Sequence, residues 1–212
     1  MVIIISGMGG IGKTTTAKTL HDELNIPVFY ESVEDNKILP LFYITDEEEQ
    51  DRRRYPFLLQ LNFLTTRFRD IKKAYRSTNA ILDRCIFEDE YFAKKNHGNG
   101  KIADIEFEIY ESIFHEMVDS IHNIGQGKPD LMIYLTGSFE TVMKRIKQRA
   151  RDFEVSDKLR EYFYYLWKDY DDFIFNYYKE SPVLVVNMDE KDVNFNEQDK
   201  RWLIEEISKY KS

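Results

Sequence analysis

A glycine-rich string near the start of the chain has the residue types and spacing of a phosphate-binding loop. Residues 7 to 14 read Gly-Met-Gly-Gly-Ile-Gly-Lys-Thr and fit G-x-x-x-x-G-K-[ST] without a departure. Glycines let consecutive backbone N–H groups turn toward phosphate oxygens, and a helix that begins at Lys13 adds the positive end of its dipole. Lys13 is expected to reach the β and γ phosphates of ATP, and the Thr14 hydroxyl to ligate Mg²⁺. The predicted ATP contacts of this string are Gly7, Met8, Gly9, Gly10, Ile11, Gly12, Lys13, Thr14 and Thr15.

Acidic residues follow or close two further apolar runs that read as strands. Glu31 comes directly after Pro27–Tyr30, and Asp83 closes the run that begins at Ala80. Ligands of open parallel sheets gather at the carboxyl ends of the strands. There Glu31, ionised at neutral pH, could accept or orient the proton of a hydroxyl acceptor. Asp83 could hold magnesium through water, and Arg84 could stabilise charge on the transferring phosphoryl group. A helix-capping or surface role for Glu31 is the alternative.

A basic run later in the chain predicts a lid. Arg145 and Arg149 are four residues apart and so share one helical face, and Arg151 lies just beyond. Together they could close over ATP and shield the reaction from water, as a lid over about residues 145–156. A solvated basic face is the competing interpretation.

The composition restricts the classes of protein to which the chain could belong. The length of 212 residues predicts one domain, 1–212. The formal charge of −8 argues against non-specific electrostatic binding to nucleic acid. No uninterrupted apolar stretch approaches the length of a membrane span, so no membrane partner is expected. The lone cysteine, Cys85, cannot form an internal disulfide, and four scattered histidines show no zinc spacing. We therefore expect a cytoplasmic setting.

Short apolar runs that alternate with helical patterns predict the elements that carry these residues. Five continuously apolar runs are expected to form parallel strands, and the alternation predicts a three-layer α/β/α fold. The predicted strands are Val2–Ile5, Pro27–Tyr30, Ala80–Asp83, Leu131–Leu135 and Val183–Val186. The predicted helices are Lys13–Leu24, Tyr55–Tyr75, Ile86–Asn96, Asp104–His122, Phe139–Gln148, Ser156–Tyr178 and Glu197–Lys209. The charge run at 46–54 is interpreted as a solvated loop, and Glu34 and Asp35 as caps of the following helix.

Several further strings occur in one order along nearly the whole chain, which resembles the deoxynucleoside kinase family. The likeness is strongest to its bacterial deoxyadenosine/deoxyguanosine kinase branch. Besides the loop at 7–14, the strings are Tyr-Glu-Ser-Val-Glu-Asp-Asn at 30–36, Leu-Pro-Leu-Phe-Tyr at 39–43, Phe-Leu-Leu-Gln at 57–60 with Arg67 seven residues later, Asp83-Arg84, and Arg-Ala-Arg-Asp-Phe-Glu at 149–154.

The resemblance implies a P-loop kinase that uses ATP and Mg²⁺ to phosphorylate the 5′-hydroxyl of a deoxynucleoside. By this likeness Glu31 is the base, Arg84 and Lys13 complete the catalytic set, and the family's dimers suggest a homodimer or a heterodimer with a related kinase. Tyr43 and Glu154 would hold the 3′-hydroxyl, and Gln60 would read the base edge. Arg67 and Asp89 would form the pair found in members that accept deoxyadenosine, deoxyguanosine or deoxycytidine. The predicted nucleoside contacts are thus Glu31, Tyr43, Gln60, Arg67, Asp89 and Glu154.

An Arg–Asp pair makes physical sense in a nucleobase site, because each charge satisfies the other while both present polar groups to the base. A site with this pair leaves little room for the thymine methyl, so thymidine is expected to be a poor substrate. A purely structural ion pair between two helices is the alternative. Among the aromatic residues, Phe87 is the candidate to stack on the base. Most others, including Phe63 and the cluster of Tyr162, Phe163, Tyr164, Tyr165 and Trp167, are interpreted as core.

The chain departs from the family pattern in two places, and of three alternative functions two stay open. Cys85 stands where the family usually has Ser, and the insert at 46–54 lengthens the spacing between Tyr43 and Gln60. A GTPase is disfavoured because neither D-x-x-G nor N-K-x-D occurs. A nucleoside monophosphate kinase would share the loop and lid, but the negative charge of Glu31 would repel its acceptor phosphate. The third alternative is a nucleotide-binding partner subunit without catalytic activity.

Overall fold

The strands predicted from the sequence form one parallel sheet. In the computed structural model, which describes residues 1–31, 33, 35–149 and 157–210, the strands are β1 Val2–Gly7, β2 Val28–Phe29, β3 Ala80–Asp83, β4 Leu131–Thr136 and β5 Val183–Asn187. Their order in the sheet is β2-β3-β1-β4-β5, and every pairing is parallel. The predicted five-stranded parallel sheet is confirmed.

Helices flank the sheet and form connections between its strands. They are α1 Lys13–Leu24, α2 Ile38–Ile44, α3 Glu47–Arg53, α4 Tyr55–Ala74, α5 Ile86–Gly98, α6 Asp104–His122, α7 Phe139–Arg149, α8 Asp157–Trp167, α9 Tyr170–Asp172, which continues as a π-helical turn over Phe173–Tyr177, and α10 Glu197–Ser208. Helix α1 packs on β1 and β3, and α4 packs on β3 and on α5 and α6. None of the described helices is long and apolar enough to cross a membrane.

The sheet register brings the chemistry-bearing ends of the central strands together. All six residues of β1 are buried, as expected for a strand covered on both faces. Ile5 of β1 is opposite Asp83 of β3, so the glycine loop leaves β1 beside the carboxyl end of β3. Glu31 follows β2, the other neighbour of β3. The carboxyl edge of the sheet therefore carries the loop, Glu31, Asp83 and Arg84.

The prediction of a solvated loop at 46–54 is wrong, because residues 47–53 form α3. The Asp46 side chain caps this helix by accepting a hydrogen bond of 2.8 Å from the Glu49 backbone N–H. Acidic residues occupy the first turn and basic residues the last, which complements the helix dipole. Arg52 and Arg53 pair with Glu49 within the helix. The insert is thus a capped helix whose charges stabilise it.

Two other predicted features also differ. The cap of α2 is Asn36, whose Oδ1 accepts from the backbone N–H groups of Ile38 and Leu39 at 3.0 and 3.1 Å. Asp35 does not cap this helix, and Glu34 lies outside the described residues. The single helix expected over 156–178 is interrupted after Trp167. A new short helix begins at Tyr170, whose buried side chain donates a hydrogen bond to Glu88 of α5.

Candidate active site

The glycine loop has a backbone that requires glycine. Gly7 and Gly10 have φ angles of 141° and 85°, in a region that side chains disfavour. A Cβ on Gly7 would lie 2.5 Å from the Leu135 carbonyl oxygen, and one on Gly10 would lie 2.6 Å from the Ile146 side chain. The loop is therefore packed against β4 and α7 from outside while its inner side lines an open cleft.

Lys13 is buried at the base of this cleft and bends back over the loop. Its Nζ donates a hydrogen bond of 3.0 Å to the Met8 carbonyl. Burial and the nearby positive charge of Arg84 lower the pKa of Lys13 to about 7, against the opposing attraction of Asp83, Glu31 and Glu88. An arriving triphosphate would stabilise the charged form and so raise this pKa.

Proton uptake on ATP binding is the measurable consequence. With a pKa of about 7, most Lys13 side chains in the free site are expected to be neutral at pH 8, and bound ATP to make them charged, so that binding takes up a large part of one proton. Calorimetry of MgATP binding in two buffers of different ionisation enthalpy measures this number. Lys13→Met, which cannot ionise, is expected to lose the uptake, and equal uptake in both proteins would contradict the pKa assignment.

Thr14, which lines the cleft, and the buried Asp83 beside it form a pair that fits a magnesium ion. The Thr14 hydroxyl donates a hydrogen bond of 2.6 Å to Asp83 Oδ2. Asp83 is 2% exposed, and its other oxygen, Oδ1, is buried and has no hydrogen-bond partner among the described residues. Burial raises the pKa of Asp83. A hydroxyl and a carboxylate are ligand types that Mg²⁺ prefers. Because the described residues contain no cluster of three or more metal-ligating side chains, phosphate oxygens and water would have to complete the shell.

Glu31 is held between two arginines at the mouth of the loop. Arg67 Nη2 and Arg84 Nε both contact Glu31 Oε1, at 2.9 and 3.0 Å. No hydrogen bond among the described residues uses Oε2, which leaves this oxygen as an acceptor. Burial alone would raise the pKa of Glu31, but the charges of Arg84, Arg67 and Lys13 lower it to about 2. Glu31 is thus a firmly ionised hydrogen-bond acceptor and a weak proton acceptor.

Arg67 and Asp89 form the buried pair that the sequence predicts. Arg67 Nε and Nη2 donate to the two carboxylate oxygens of Asp89 at 2.7 and 3.1 Å. A further hydrogen bond of Arg67, from Nη1 to the Asp83 carbonyl at 3.0 Å, anchors it to the end of β3. Burial raises the pKa of Asp89 to about 6, although Arg67 opposes this shift. Arg67 thus connects Glu31 with Asp89, and Asp89 lines a neighbouring apolar cavity.

Two cavities meet at Glu31. The open cleft has a volume of about 980 Å³ and is lined by the glycine loop, Lys13, Thr14, Thr15 and Arg145. The apolar cavity has a volume of about 110 Å³. Residues that line both are Glu31, Val33 and Arg84. A group bound in the apolar cavity would thus meet a phosphate bound in the cleft at the Glu31 carboxylate.

The apolar cavity brings together residues of α2, α4, α5 and α8. Tyr43, Gln60 and Asp89, three of the predicted nucleoside contacts, line it. Gln60 is 4% exposed, and Tyr43 packs against Phe42 and Phe163. The predicted contact Glu154 lies outside the described residues. Met8 and Gly9, predicted as ATP contacts, line this cavity as well. The lining that sequence reasoning did not assign to a site comprises Val33, Leu39, Phe42, Leu59, Phe63, Phe92, Tyr162, Phe163 and Leu166.

The aromatic predictions need correction. Phe87, the candidate for base stacking, packs in the core with ring centroids 5.7 Å from Phe114 and 5.9 Å from Tyr178. Phe163 lies in the core, and Phe63 and Tyr162 pack against core residues, as predicted, but all three also line the cavity. Helical spacing alone does not distinguish a side chain that faces the core from one that faces a cavity, since both are covered by neighbouring helices.

Of the predicted lid arginines, Arg145 is placed at the loop. Its Nη1 donates to the Ile11 carbonyl, and it lines the open cleft beside Gly12. Arg149 ends α7, and Arg151 lies outside the described residues, as does most of the predicted lid.

The chain belongs to the deoxynucleoside kinase family, whose model matches residues 3–211. Two Lactobacillus acidophilus proteins, a deoxyguanosine kinase and a deoxyadenosine kinase, are each 35% identical to it over 97% of this chain and over 89% and 94% of their own lengths. The structure of deoxyadenosine kinase from M. mycoides with bound dATP has a TM-score of 0.80 at 28% identity, with 98% of this chain and all of that chain covered. The predicted P-loop kinase fold and enzyme class are confirmed.

Proposed function

We propose that this deoxynucleoside kinase transfers the γ-phosphoryl group of ATP to the 5′-hydroxyl of a purine deoxyribonucleoside in nucleotide salvage. Deoxyadenosine and deoxyguanosine are the proposed substrates, and deoxycytidine is the third candidate. The observation that carries the proposal is the position of Glu31, which lines both the phosphate cleft and the apolar cavity. The names of the relatives support the purine assignment, since they include both purine deoxynucleoside kinases.

The reaction needs an acceptor hydroxyl aligned with the γ-phosphorus. Glu31 Oε2 accepts a hydrogen bond from the 5′-hydroxyl and orients it, while the O5′–P bond forms and the bond from phosphorus to the β–γ bridging oxygen breaks. Because the transition state of phosphoryl transfer is loose, the hydroxyl loses its proton late, after the O5′–P bond has begun to form. The proton then passes through Glu31 Oε2 to solvent, and a carboxylate of low pKa suffices for this step. Lys13 and Arg84 stabilise the charge on the phosphate oxygens.

Magnesium and the lid arginines complete the proposed donor site. Thr14 and Asp83 would hold Mg²⁺, whose charge neutralises the β and γ phosphate oxygens. Asp83 Oδ1 supports this role, because no described residue hydrogen-bonds to it and a buried carboxylate oxygen without a partner is energetically unfavourable. Arg145, with the predicted contributions of Arg149 and Arg151, would close over ATP.

Separate turnover assays with deoxyadenosine, deoxyguanosine, deoxycytidine and thymidine test the proposal. With ATP and Mg²⁺ the purified chain is expected to phosphorylate at least one purine deoxynucleoside, to use thymidine poorly, and to stop when EDTA removes the metal. Turnover of deoxyadenosine monophosphate without turnover of any nucleoside would indicate a nucleoside monophosphate kinase. Binding of ATP without turnover of any acceptor would indicate a non-catalytic partner subunit.

The partners and setting of the enzyme remain part of the proposal. We infer a cytoplasmic enzyme, because ATP and deoxynucleosides are small soluble substrates and the lone Cys85 is a buried thiol. We also infer a homodimer or a heterodimer with a related kinase. Leu58 on α4 and Ile105 and Ile109 on α6 support an interface on these two packed helices, since they are large exposed apolar side chains.

A further inference from the structure

Beneath the glycine loop lies a carboxylate to which the proposed mechanism has assigned no role. Glu88, in the first turn of α5, has no exposed surface. An unpaired charge in such a place would be strongly unfavourable, so its partners show what it stabilises. Those partners belong to the catalytic centre and to a distant part of the chain.

Glu88 accepts hydrogen bonds from both sides of the reaction centre. Its Oε1 accepts from Arg84 Nη1 at 2.9 Å and from the Gly7 backbone N–H at 3.4 Å. The Tyr170 hydroxyl donates to the same oxygen, and the Cys85 backbone N–H donates to Oε2 at 2.8 Å. One carboxylate thus connects the first residue of the glycine loop with the arginine that follows β3.

Arg84 depends on such support because its conformation is unusual. It has a φ angle of 84°, which a residue other than glycine holds only where its surroundings enforce it. Its guanidinium is fixed by Nε on Glu31 and by Nη1 on Glu88 and the Gly7 carbonyl. Within the described residues Nη2 makes no hydrogen bond, which leaves it for an oxygen of the transferring phosphoryl group.

We propose that Glu88 is a positioning residue for phosphoryl transfer, supported by the Tyr170 hydroxyl. It fixes the guanidinium of Arg84 and the amide of Gly7 relative to each other, so that Arg84 meets the γ-phosphoryl group where Glu31 presents the acceptor. This inference rests on the proposed function. It adds a residue that touches neither substrate and acts through Arg84.

Glu88→Gln tests the role, because glutamine keeps the shape of the side chain and removes its charge. We expect kcat to fall by about 10- to 100-fold, while the KM for the nucleoside changes by less than about threefold. Glu90→Gln is the matched control: Glu90 is a 1% exposed carboxylate on the same helix, but it pairs with Lys94 at 2.5 Å and lines neither cavity. This control is expected to keep wild-type kcat.

A double-mutant cycle separates positioning from a merely structural role. In an Arg84→Ala background, Glu88→Gln is expected to lower kcat by less than about threefold further, because its effect runs through Arg84. Equal losses in both backgrounds, or a folded Glu88→Gln enzyme with wild-type kcat, would overturn the proposal.

Tyr170→Phe is an independent test of the positioning role if Glu88→Gln does not fold. Loss of the hydroxyl donor is expected to lower kcat about threefold to tenfold, again with little change in nucleoside KM. Wild-type kcat in Tyr170→Phe would then overturn the proposal. Failure of the proposed function is distinguishable from all these outcomes, because it would leave the wild-type chain itself without nucleoside phosphorylation.

Discussion

Glu31→Gln is expected to lower kcat by about 10²- to 10⁴-fold while nucleoside binding is retained. The substitution keeps the shape of the side chain but replaces an ionised carboxylate by a neutral amide, so the 5′-hydroxyl loses its strongest acceptor. It also leaves Arg67 and Arg84 without the charge that both contact. Turnover measured with saturating ATP, together with the nucleoside Kd by calorimetry, checks the prediction.

The matched control for this variant is Glu108→Gln, which removes an exposed carboxylate on α6 and is expected to leave kcat unchanged. Near-wild-type kcat in Glu31→Gln would show that the carboxylate neither accepts nor orients the acceptor proton. A large rise in nucleoside Kd without a change in kcat would make Glu31 a binding residue only.

The pH dependence of the wild-type enzyme distinguishes orientation from proton acceptance. The lowered pKa of Glu31, about 2, means that the group stays ionised at every pH above about 4. It therefore contributes no acid limb to kcat/KM between about pH 5 and pH 8. An acid limb present in the wild type and absent from Glu31→Gln would contradict the lowered pKa.

Asp89→Asn is expected to lower kcat/KM for purine deoxynucleosides by about 10- to 100-fold. Arg67 would lose one of its two carboxylate partners, and the cavity would lose one of the two carboxylates that line it. Part of the loss should appear in kcat, because Arg67 also holds Glu31. Steady-state kinetics with deoxyadenosine, deoxyguanosine and thymidine measures both the loss and the change in preference.

The ratio of purine to thymidine turnover is expected to narrow in Asp89→Asn, since thymidine gains little from the pair. Glu90→Gln, a substitution at the adjacent buried carboxylate, is expected to leave this ratio unchanged. A lower melting temperature with unaltered kinetics for all three nucleosides would instead show that Arg67 and Asp89 form a purely structural ion pair.

The five strands could be predicted from the sequence, whereas the structure of the insert at 46–54 could not. Continuous apolar runs identify the five strands, because a strand that is covered on both faces buries its side chains on both sides of the sheet. The insert at 46–54 was misinterpreted because a run of charges is typical of solvated loops, whereas here the order of the charges matters. Acids precede bases, and Asp46 supplies the cap, so the same residues favour a short helix.

The site was predictable where its residues are neighbours in the sequence or carry a family motif. The loop at 7–14 is such a case, since its backbone conformation, dipole and lysine all come from eight consecutive residues. Glu88 and Tyr170 were missed because they lie 82 residues apart in the chain, and neither belongs to a recognisable spacing. The first-turn acid of α5 looks like an ordinary capping residue until the fold places it under Gly7.

By itself the sequence determined the phosphate loop, the parallel sheet and the kinds of charged groups that follow its strands, since these depend on short-range backbone and packing rules. The tertiary structure alone decided which buried charges pair. Arg67 and Arg84 share Oε1 of Glu31, Glu88 joins Gly7 to Arg84, and Phe87 packs in the core while Phe63 lines the cavity. The physical reason is that burial and ion pairing depend on contacts between distant segments, which exist only once the sheet and its helices have assembled.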